Sequence, residues 1–399
     1  MTEHKGPDAG VGRRRSQIES SYHDRKPFVA SSPTSDLDDS VSGKRKTAVK
    51  LSDVDFPILA TEPKLIADVG MDFAMASSLF SWEFDVQNIV KKDMLIDIAF
   101  TLFKNSWLCG PLGVSEVTLR NFIANVAGNY HRRSFHNLQH VVSVLHITWL
   151  LTNYCTQKQA GLSLMSRFAL LVGALVHDCD HPGHNNSFEV NTNSSLAQQY
   201  GKTAVLEHHH LAVAESILTK PGCNILETFD EETAMEFTQL LKYIVLGTDM
   251  TMHKEIVWDV ENFSTELDPT SSASMSKLCR AILHAADLGN PVKAFDVCKV
   301  WAIRLADEHT KQVKTEAALG LASAQFMVHK DTLSVYKGEI QFLTHVAQPL
   351  WVGMAKTWPQ LKGLHKQLQL NIQMYEKEVS KARADEVRIS KEGAQSWAY

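Results

Sequence analysis

What the 399-residue chain lacks narrows the field first. Its start shows no apolar run of a secretory leader, and its longest apolar run, Phe168 to Val176, is far short of the ~20 residues a bilayer span needs. The six cysteines (Cys109, Cys155, Cys179, Cys223, Cys279 and Cys298) include no C-x-x-C pair, which excludes a disulfide framework and reads as reduced, mostly buried thiols. The expectation is a cytoplasmic protein, in which the N-x-[ST] matches at Asn185, Asn193 and Asn262 carry no sugar. A net charge of -5 gives no general affinity for nucleic acid or anionic membranes. There is no Walker-type phosphate loop and no H-E-x-x-H, so NTPase and zinc-protease chemistry have no support. Sustained alternation of β-branched residues, Asn-Gly or Asp-Gly hairpin turns, and repeats of fixed period are all missing.

What remains is helical. Leu95, Ile98, Ala99, Leu102 and Phe103 recur at helical spacing, as do Val141, Val144, Leu145 and Leu150. Phe168–Val176, Leu211–Leu218, Phe237–Leu246, Leu278–Ala286, Val297–Leu305, Ile340–Leu350 and Leu361–Val379 are further candidates. The pattern is helical from about Leu65 and predicts an all-α fold, a compact bundle of many helices. Residues 1–62 are rich in Ser, Pro, Gly and Asp, with ten basic and ten acidic side chains, and read as a disordered tail. Within it Arg13-Arg14-Arg15-Ser16 matches the pattern basophilic kinases accept, making Ser16 a candidate phosphosite against the alternative of a solvated charge run. The folded domain is expected over 63–380, with a charged tail over 381–399.

Eighteen histidines favour metal or proton chemistry. His136 and His140 stand four apart at the start of a helical run, so both imidazoles project from one face. On their own they are better read as a partly buried histidine capping the helix. His177-Asp178 ends an apolar run and Asp180-His181 follows, before the Pro182-Gly183 break that is expected to stop the helix. Adjacent imidazole and carboxylate at such a place are costly to bury without a cation or an ion-pair cluster. Glu207-His208-His209-His210 forms a third polar cluster, and Asp287 a fourth, where the apolar Leu278–Ala286 run meets Gly289-Asn290-Pro291. Two imidazoles and two carboxylates leave positions open for water, as a catalytic metal requires.

The segments FHNLQH, ALVHDCDHPGHNN, VLEHHH, VLGTDMTMH and HAADLGNP, in this order, resemble the catalytic domain of class I 3',5'-cyclic nucleotide phosphodiesterases, from about Trp82 to about Tyr375. The HD-type metal site is shared with a wider phosphohydrolase superfamily. The resemblance implies that His140, His177, Asp178 and Asp287 ligate a zinc ion, and that Asp178 bridges to a second ion, magnesium or manganese. It implies that His136 protonates the departing 3'-oxygen while a hydroxide activated by the two metals attacks phosphorus. His181, Asn186, Glu207, His210, Thr248 and Asp249 match positions that hold metal-bound waters or orient ligands. The implied activity is hydrolysis of cAMP, with cGMP as a second substrate, to the 5'-monophosphate, which would end a cyclic nucleotide signal. Other readings are a catalytically weak cyclic-nucleotide-binding regulatory protein and another HD-type nucleotide phosphohydrolase. A kinase acting at Ser16 and a homodimer are the partners left open.

The chain departs from the family pattern in places. Phe135 stands where the family has Tyr before the general acid, and Ser143 where it has Asp. Counting back without gaps from Pro349-Leu350-Trp351, the purine-binding glutamine is replaced by Glu339, with the base-stacking ring at Phe342. An amide donates and accepts, whereas an ionised carboxylate only accepts; a protonated one imitates the amide. A shifted register would put Gln341 in that role instead. Asn290-Pro291 resembles the cAMP-preferring members, and Leu305, Phe326 and Met250 are candidates for the apolar lining of the pocket.

Overall fold

The computed structural model describes residues 78–155 and 161–396, with side chains as far as 384; Ser16 and the rest of the 1–62 stretch lie outside them. In chain order the helices are α1 (Lys92–Asn105), α2 (Glu116–Gly128), α3 (Leu138–Cys155), α4 (Leu164–Val176), α5 (Asn186–Asn191), α6 (Ser195–Tyr200) and α7 (Val205–Leu218). They continue with α8 (Glu231–Leu246), α9 (His253–Glu266), α10 (Ser272–Asp287), α11 (Phe295–Ala318), α12 (Thr332–Phe342), α13 (Gln348–Thr357) and α14 (Lys362–Ser396). No strand occurs among the described residues, and no described helix is long and apolar enough to cross a membrane.

α4 is the axis of the bundle. Ser163 starts it by accepting a hydrogen bond from the Ser166 N–H at 3.1 Å. Every residue from Phe168 to Val176 is buried, so the helix is apolar all round and belongs inside. α3, α8 and α10 pack against it, and α3 packs on α10 in turn. These contacts bring the end of α4, the end of α10 and the first turns of α3 to one place. Gly289 lets the chain leave α10 there: a Cβ on it would stand 2.7 Å from the Ala286 carbonyl and 2.5 Å from Ile147 of α3.

Four expectations change. The expected Ile340–Leu350 helix is α12 and α13 joined by one π-helical turn, Leu343–Ala347. Pro349 has no N–H for the helical ladder and crowds the carbonyl four residues back, and the wider turn accommodates it. The charged segment from 381 does not leave the last helix as a tail; α14 runs on to Ser396, through a stretch rich in Lys, Arg, Glu and Ala with no proline.

Residues 79–91, expected to be helical, form an irregular strap. Side chains of the core hold its main-chain carbonyls: His146 donates to Leu79 (2.9 Å), and Lys293 Nζ to Trp82 and Phe84 (3.0 and 3.1 Å). Gln139 Nε2 faces the carbonyls of Val86, Gln87 and Ile89 at 2.9–3.3 Å, while its Oε1 accepts from Arg304 at 2.8 Å. Donors from α3 and from the link between α10 and α11 therefore outcompete the local helical ladder.

Finally, α4 ends at Val176, ahead of the Pro182-Gly183 pair expected to stop it. The first left-handed residue is Asp180, with φ 62°. Its N–H donates to the Asn129 carbonyl at 3.0 Å, and its carboxylate lies between His131 and His209, the latter at 2.8 Å. Those contacts hold an aspartate in a conformation usually left to glycine.

Candidate active site and metal centre

Three helices deliver the quartet expected from the sequence. His140 comes from the first turn of α3, His177 and Asp178 from the end of α4, and Asp287 closes α10. His140 and His177 are buried at 1% and 0% exposure, yet both carboxylates keep an edge toward solvent. His140 Nε2 lies 3.3 Å from Asp178 Oδ2 and 3.2 Å from Asp287 Oδ1; for His177 Nε2 the distances are 3.3 and 3.4 Å. The other nitrogen of His177, Nδ1, donates to the Ala174 carbonyl at 3.0 Å, which leaves Nε2 as the lone-pair atom.

His140 Nε2, His177 Nε2 and Asp178 Oδ2 are all buried without a hydrogen-bond partner. Three such atoms facing one another in a core are costly unless something satisfies them. Their spacing is that of ligands around one ion, because tetrahedral bonds of about 2.0–2.1 Å place neighbouring donor atoms about 3.3 Å apart. Burial disfavours a charge on His177, but Asp178 and Asp287 outweigh it and draw its affinity for a proton well above the usual histidine range. A divalent cation answers the same pull. The residues present fit a metal ion.

His136 sits beside this cluster, and its partner is a residue that the sequence reading missed. Glu308 of α11, 5% exposed, accepts from the backbone N–H of Phe135 (2.9 Å) and of His136 (3.3 Å), and its Oε1 lies 2.5 Å from His136 Nδ1. Burial favours the neutral acid at Glu308, but His136 outweighs it and holds the carboxyl at about 2. Burial likewise opposes a charge on His136, yet Asp178 and then Glu308 raise its affinity for a proton. The ring is thus fixed through Nδ1, and Nε2 is the nitrogen free to deliver a proton. Phe135 lies over this pair, its ring centroid 4.7 Å from that of His140 and 4.9 Å from that of His136.

The remaining site residues form a layer around Asp178. His181, His210 and Asp178 present ligand-type atoms within 4.8 Å of one another. His210 bonds the Cys179 carbonyl through Nδ1 at 2.7 Å, turning Nε2 toward Asp178 Oδ1 at 3.9 Å. His181 accepts from the Gly183 N–H at Nδ1 and stacks on His136 with centroids 3.9 Å apart. Burial, then the neighbouring His136, keeps it neutral, so Nε2 carries its hydrogen. Asn186 accepts from the Leu206 N–H and donates to Glu207, whose carboxyl burial pushes up to about 7. Thr248 and Asp249 are buried but bond within their own turn, to the Val245 carbonyl and from the Thr251 N–H; Asp249 reaches the layer through its charge on Glu207.

The described family model for 3'5'-cyclic nucleotide phosphodiesterases matches residues 135–368. The chain belongs to that family. It is 29% identical over 263 residues to the "High affinity cGMP-specific 3',5'-cyclic phosphodiesterase 9A" of Pan troglodytes, covering 66% of this chain and 44% of that protein. It is 28% identical over 292 residues to the "3',5'-cyclic-AMP phosphodiesterase 4C" of Mus musculus, covering 70% and 42%. The chain therefore spans less than half the length of these curated relatives. Among solved structures, the phosphodiesterase domain of the RhoPDE fusion protein from the choanoflagellate Salpingoeca rosetta superposes with a TM-score of 0.74 at 31% identity, covering 78% of this chain and 98% of that one.

In this phosphodiesterase fold the expected base-binding residues lie on α11, α12, the turn after α10, and the 3₁₀ turns Met250–Met252 and Gln325–Met327. Asn290 opens that turn, partly exposed, three residues past Asp287. Phe342 closes α12 against Cys298, Leu343 and Tyr375. Glu339, one turn earlier and partly buried, faces Cys298 and Tyr375, and burial pushes its carboxyl up to about 8. Gln341 is exposed, so the inward register belongs to Glu339. Leu305 is half-buried on α11. Met250 and Phe326 are 47% and 68% exposed, which rules out a core role for either.

Glu308→Gln tests the clamp on His136. The amide still accepts from the two backbone N–H groups but removes the charge that favours a protonated imidazole. The expected result is a kcat lower by roughly tenfold, with the alkaline limb of its pH profile, where His136 loses its proton, moved to lower pH. An unmoved limb rejects the clamp.

Proposed function

We propose that this phosphodiesterase hydrolyses a 3',5'-cyclic nucleotide, cAMP preferred and cGMP also accepted, to the 5'-monophosphate. The observation that carries it is the pairing of a four-residue cluster of ligand groups, three of them with buried unsatisfied atoms, with a proton donor, His136, clamped beside them. Water gives up one proton to solvent as its oxygen attacks phosphorus, the P–O3' bond breaks, and the 3'-oxygen leaves with the proton from His136 Nε2, which is reprotonated from solvent. His140, His177, Asp178 and Asp287 would hold zinc, and Asp178 a second ion, magnesium or manganese, with His210, His181 and the Asn186–Glu207 pair placed to orient its waters. When bound, such a pair of ions acidifies water and neutralises charge on the phosphate. Glu308 keeps His136 oriented and charged before the step and takes no part in bond making. His140, packed under the Phe135 ring, and His177 are buried, so only the carboxylate edge of the quartet meets solvent. Turnover of cAMP and cGMP, measured with magnesium, manganese and a chelator, is the direct test; no turnover of either with both metals supplied rejects the reading.

Glu339 is proposed to contact the base as a neutral acid, which donates and accepts as an amide does. With its carboxyl at about 8, it is protonated at neutral pH and becomes a pure acceptor above that. The KM for cAMP is expected to climb as pH rises from about 7 to about 9. Glu339→Gln, which cannot ionise, is expected to stay flat over the same range. Parallel pH profiles for the two proteins would remove Glu339 from the base contact.

A further inference from the structure

Asn371 lies on α14 with none of its surface exposed. Both hydrogens of its amide are used on one short stretch: Nδ2 donates to the carbonyls of Pro291 and Lys293, each at 2.8 Å. Its Oδ1 accepts from Gln367 Nε2 at 2.9 Å, one helical turn away, and this bond fixes which end of the amide faces the carbonyls. The stretch it grips is the 3₁₀ turn Asn290–Val292 and the residue after it, the link that carries the chain out of α10 just beyond Asp287. The same link is pinned from the opposite side, where Lys293 Nζ donates to the strap carbonyls of Trp82 and Phe84. Immediately upstream, Trp351 Nε1 donates to the Leu288 carbonyl at 3.1 Å.

Two buried carbonyls in a turn bounded by a proline are an expensive pair to leave unmatched. The turn's own N–H groups serve Gly289 and Asn290, so they do not answer the carbonyls of Pro291 and Lys293. An apolar side chain at 371 would fill the space and leave both carbonyls without a donor, and the turn would shift toward other partners. Asn290 would move with it. Four residues further along the same face of α14, Tyr375 places its hydroxyl 3.7 Å from Cys298 Sγ, beside Glu339. One face of α14 thus backs both the Asn290 turn and the Glu339 corner.

We infer that Asn371 is a positioning residue: it holds the Asn290–Lys293 turn, and with it the side chain of Asn290, in register with Asp287 so that substrate is bound in place. This rests on the proposed function, in which Asn290 contacts the nucleotide. Its action is through the turn, so binding should suffer while the metal quartet and His136 keep their places.

The test uses the full chain, with Asn371→Leu, which keeps much of the volume, and Gln367→Leu, which releases the amide's orientation from a less buried position. Measured for each are kcat and KM with cAMP and cGMP, metal content, and melting temperature. Asn371→Leu is expected to raise KM about tenfold, the size a small misplacement of a contact produces, with kcat within about threefold and metal content unchanged. Gln367→Leu is expected to raise KM about threefold in the same sense. A lowered melting temperature with unaltered KM in both variants would show that Asn371 merely supports the fold and would overturn the inference. So would a loss of kcat that tracks metal loss. If Asn371→Leu does not fold, Gln367→Leu decides, and an unchanged KM there counts against the role. If wild type turns over neither nucleotide, the functional reading fails separately; 5'-AMP affinity then decides, and equal affinity in wild type and variants overturns the positioning role.

Discussion

Asp287→Ala should strip the tightly held metal from the protein and lower turnover about a thousandfold, the scale of the several kcal/mol that an ion contributes to charge stabilisation at phosphorus. The argument rests on what the other three ligand groups can do alone. Asp287 Oδ1 lies 3.2 Å from His140 Nε2 and 3.4 Å from His177 Nε2, so it closes the ring of donors opposite Asp178. Without it the set falls to two imidazoles and one carboxylate that is also wanted by a second ion. His140, His177 and Asp178 would still be fixed by the packing of α3 on α4, so helical content should change little. Metal content per chain, measured on protein purified without chelator, is the readout. Full occupancy in the variant would show that the quartet is wrongly drawn.

His136→Ala should lower kcat by about 10²–10⁴-fold, the range of a positioned general acid, and leave metal content as it was. The ring touches Phe135 and His181 and bonds Glu308, but it supplies no atom to the quartet. A diester whose leaving group departs without a proton should lose far less than cAMP does. Equal losses on both substrates would mean that His136 matters for structure or metal retention, and the proton-donor assignment would be withdrawn.

Three members of the quartet stood out in the sequence because they break a strong pattern, whereas His140 was joined to them only by the family resemblance. His177-Asp178 and Asp287 end apolar runs that are buried throughout, and charged groups there call for a cation. Glu308 was not legible for the converse reason. It lies in Ala306-Asp307-Glu308-His309 on a helix with many charges, where a carboxylate reads as a solvated face, and its partner is 172 positions away. Only the burial of that one acid, at 5% exposure, separates it from Asp307 beside it. Asp180 was read as part of the helix-end cluster, but its left-handed backbone depends on His131 and His209, which arrive from other segments. The π turn before Pro349 and the length of α14 were local effects that the apolar spacing alone did not separate from an ordinary helix end.

The strap at residues 79–91 carries a different kind of information. Gln139, His146 and Lys293 take hold of it by main-chain oxygens, which every residue carries alike. Its path is thus written twice, in the residues that grip its carbonyls and in its own Leu79, Phe84, Val86 and Ile89, which are buried in the core. A related chain would keep this strap while the letters between those four positions drift, provided the gripping side chains and the four apolar ones stay. The trace to look for is a glutamine immediately before the first histidine of the quartet, and a lysine two residues after the proline that follows its last aspartate.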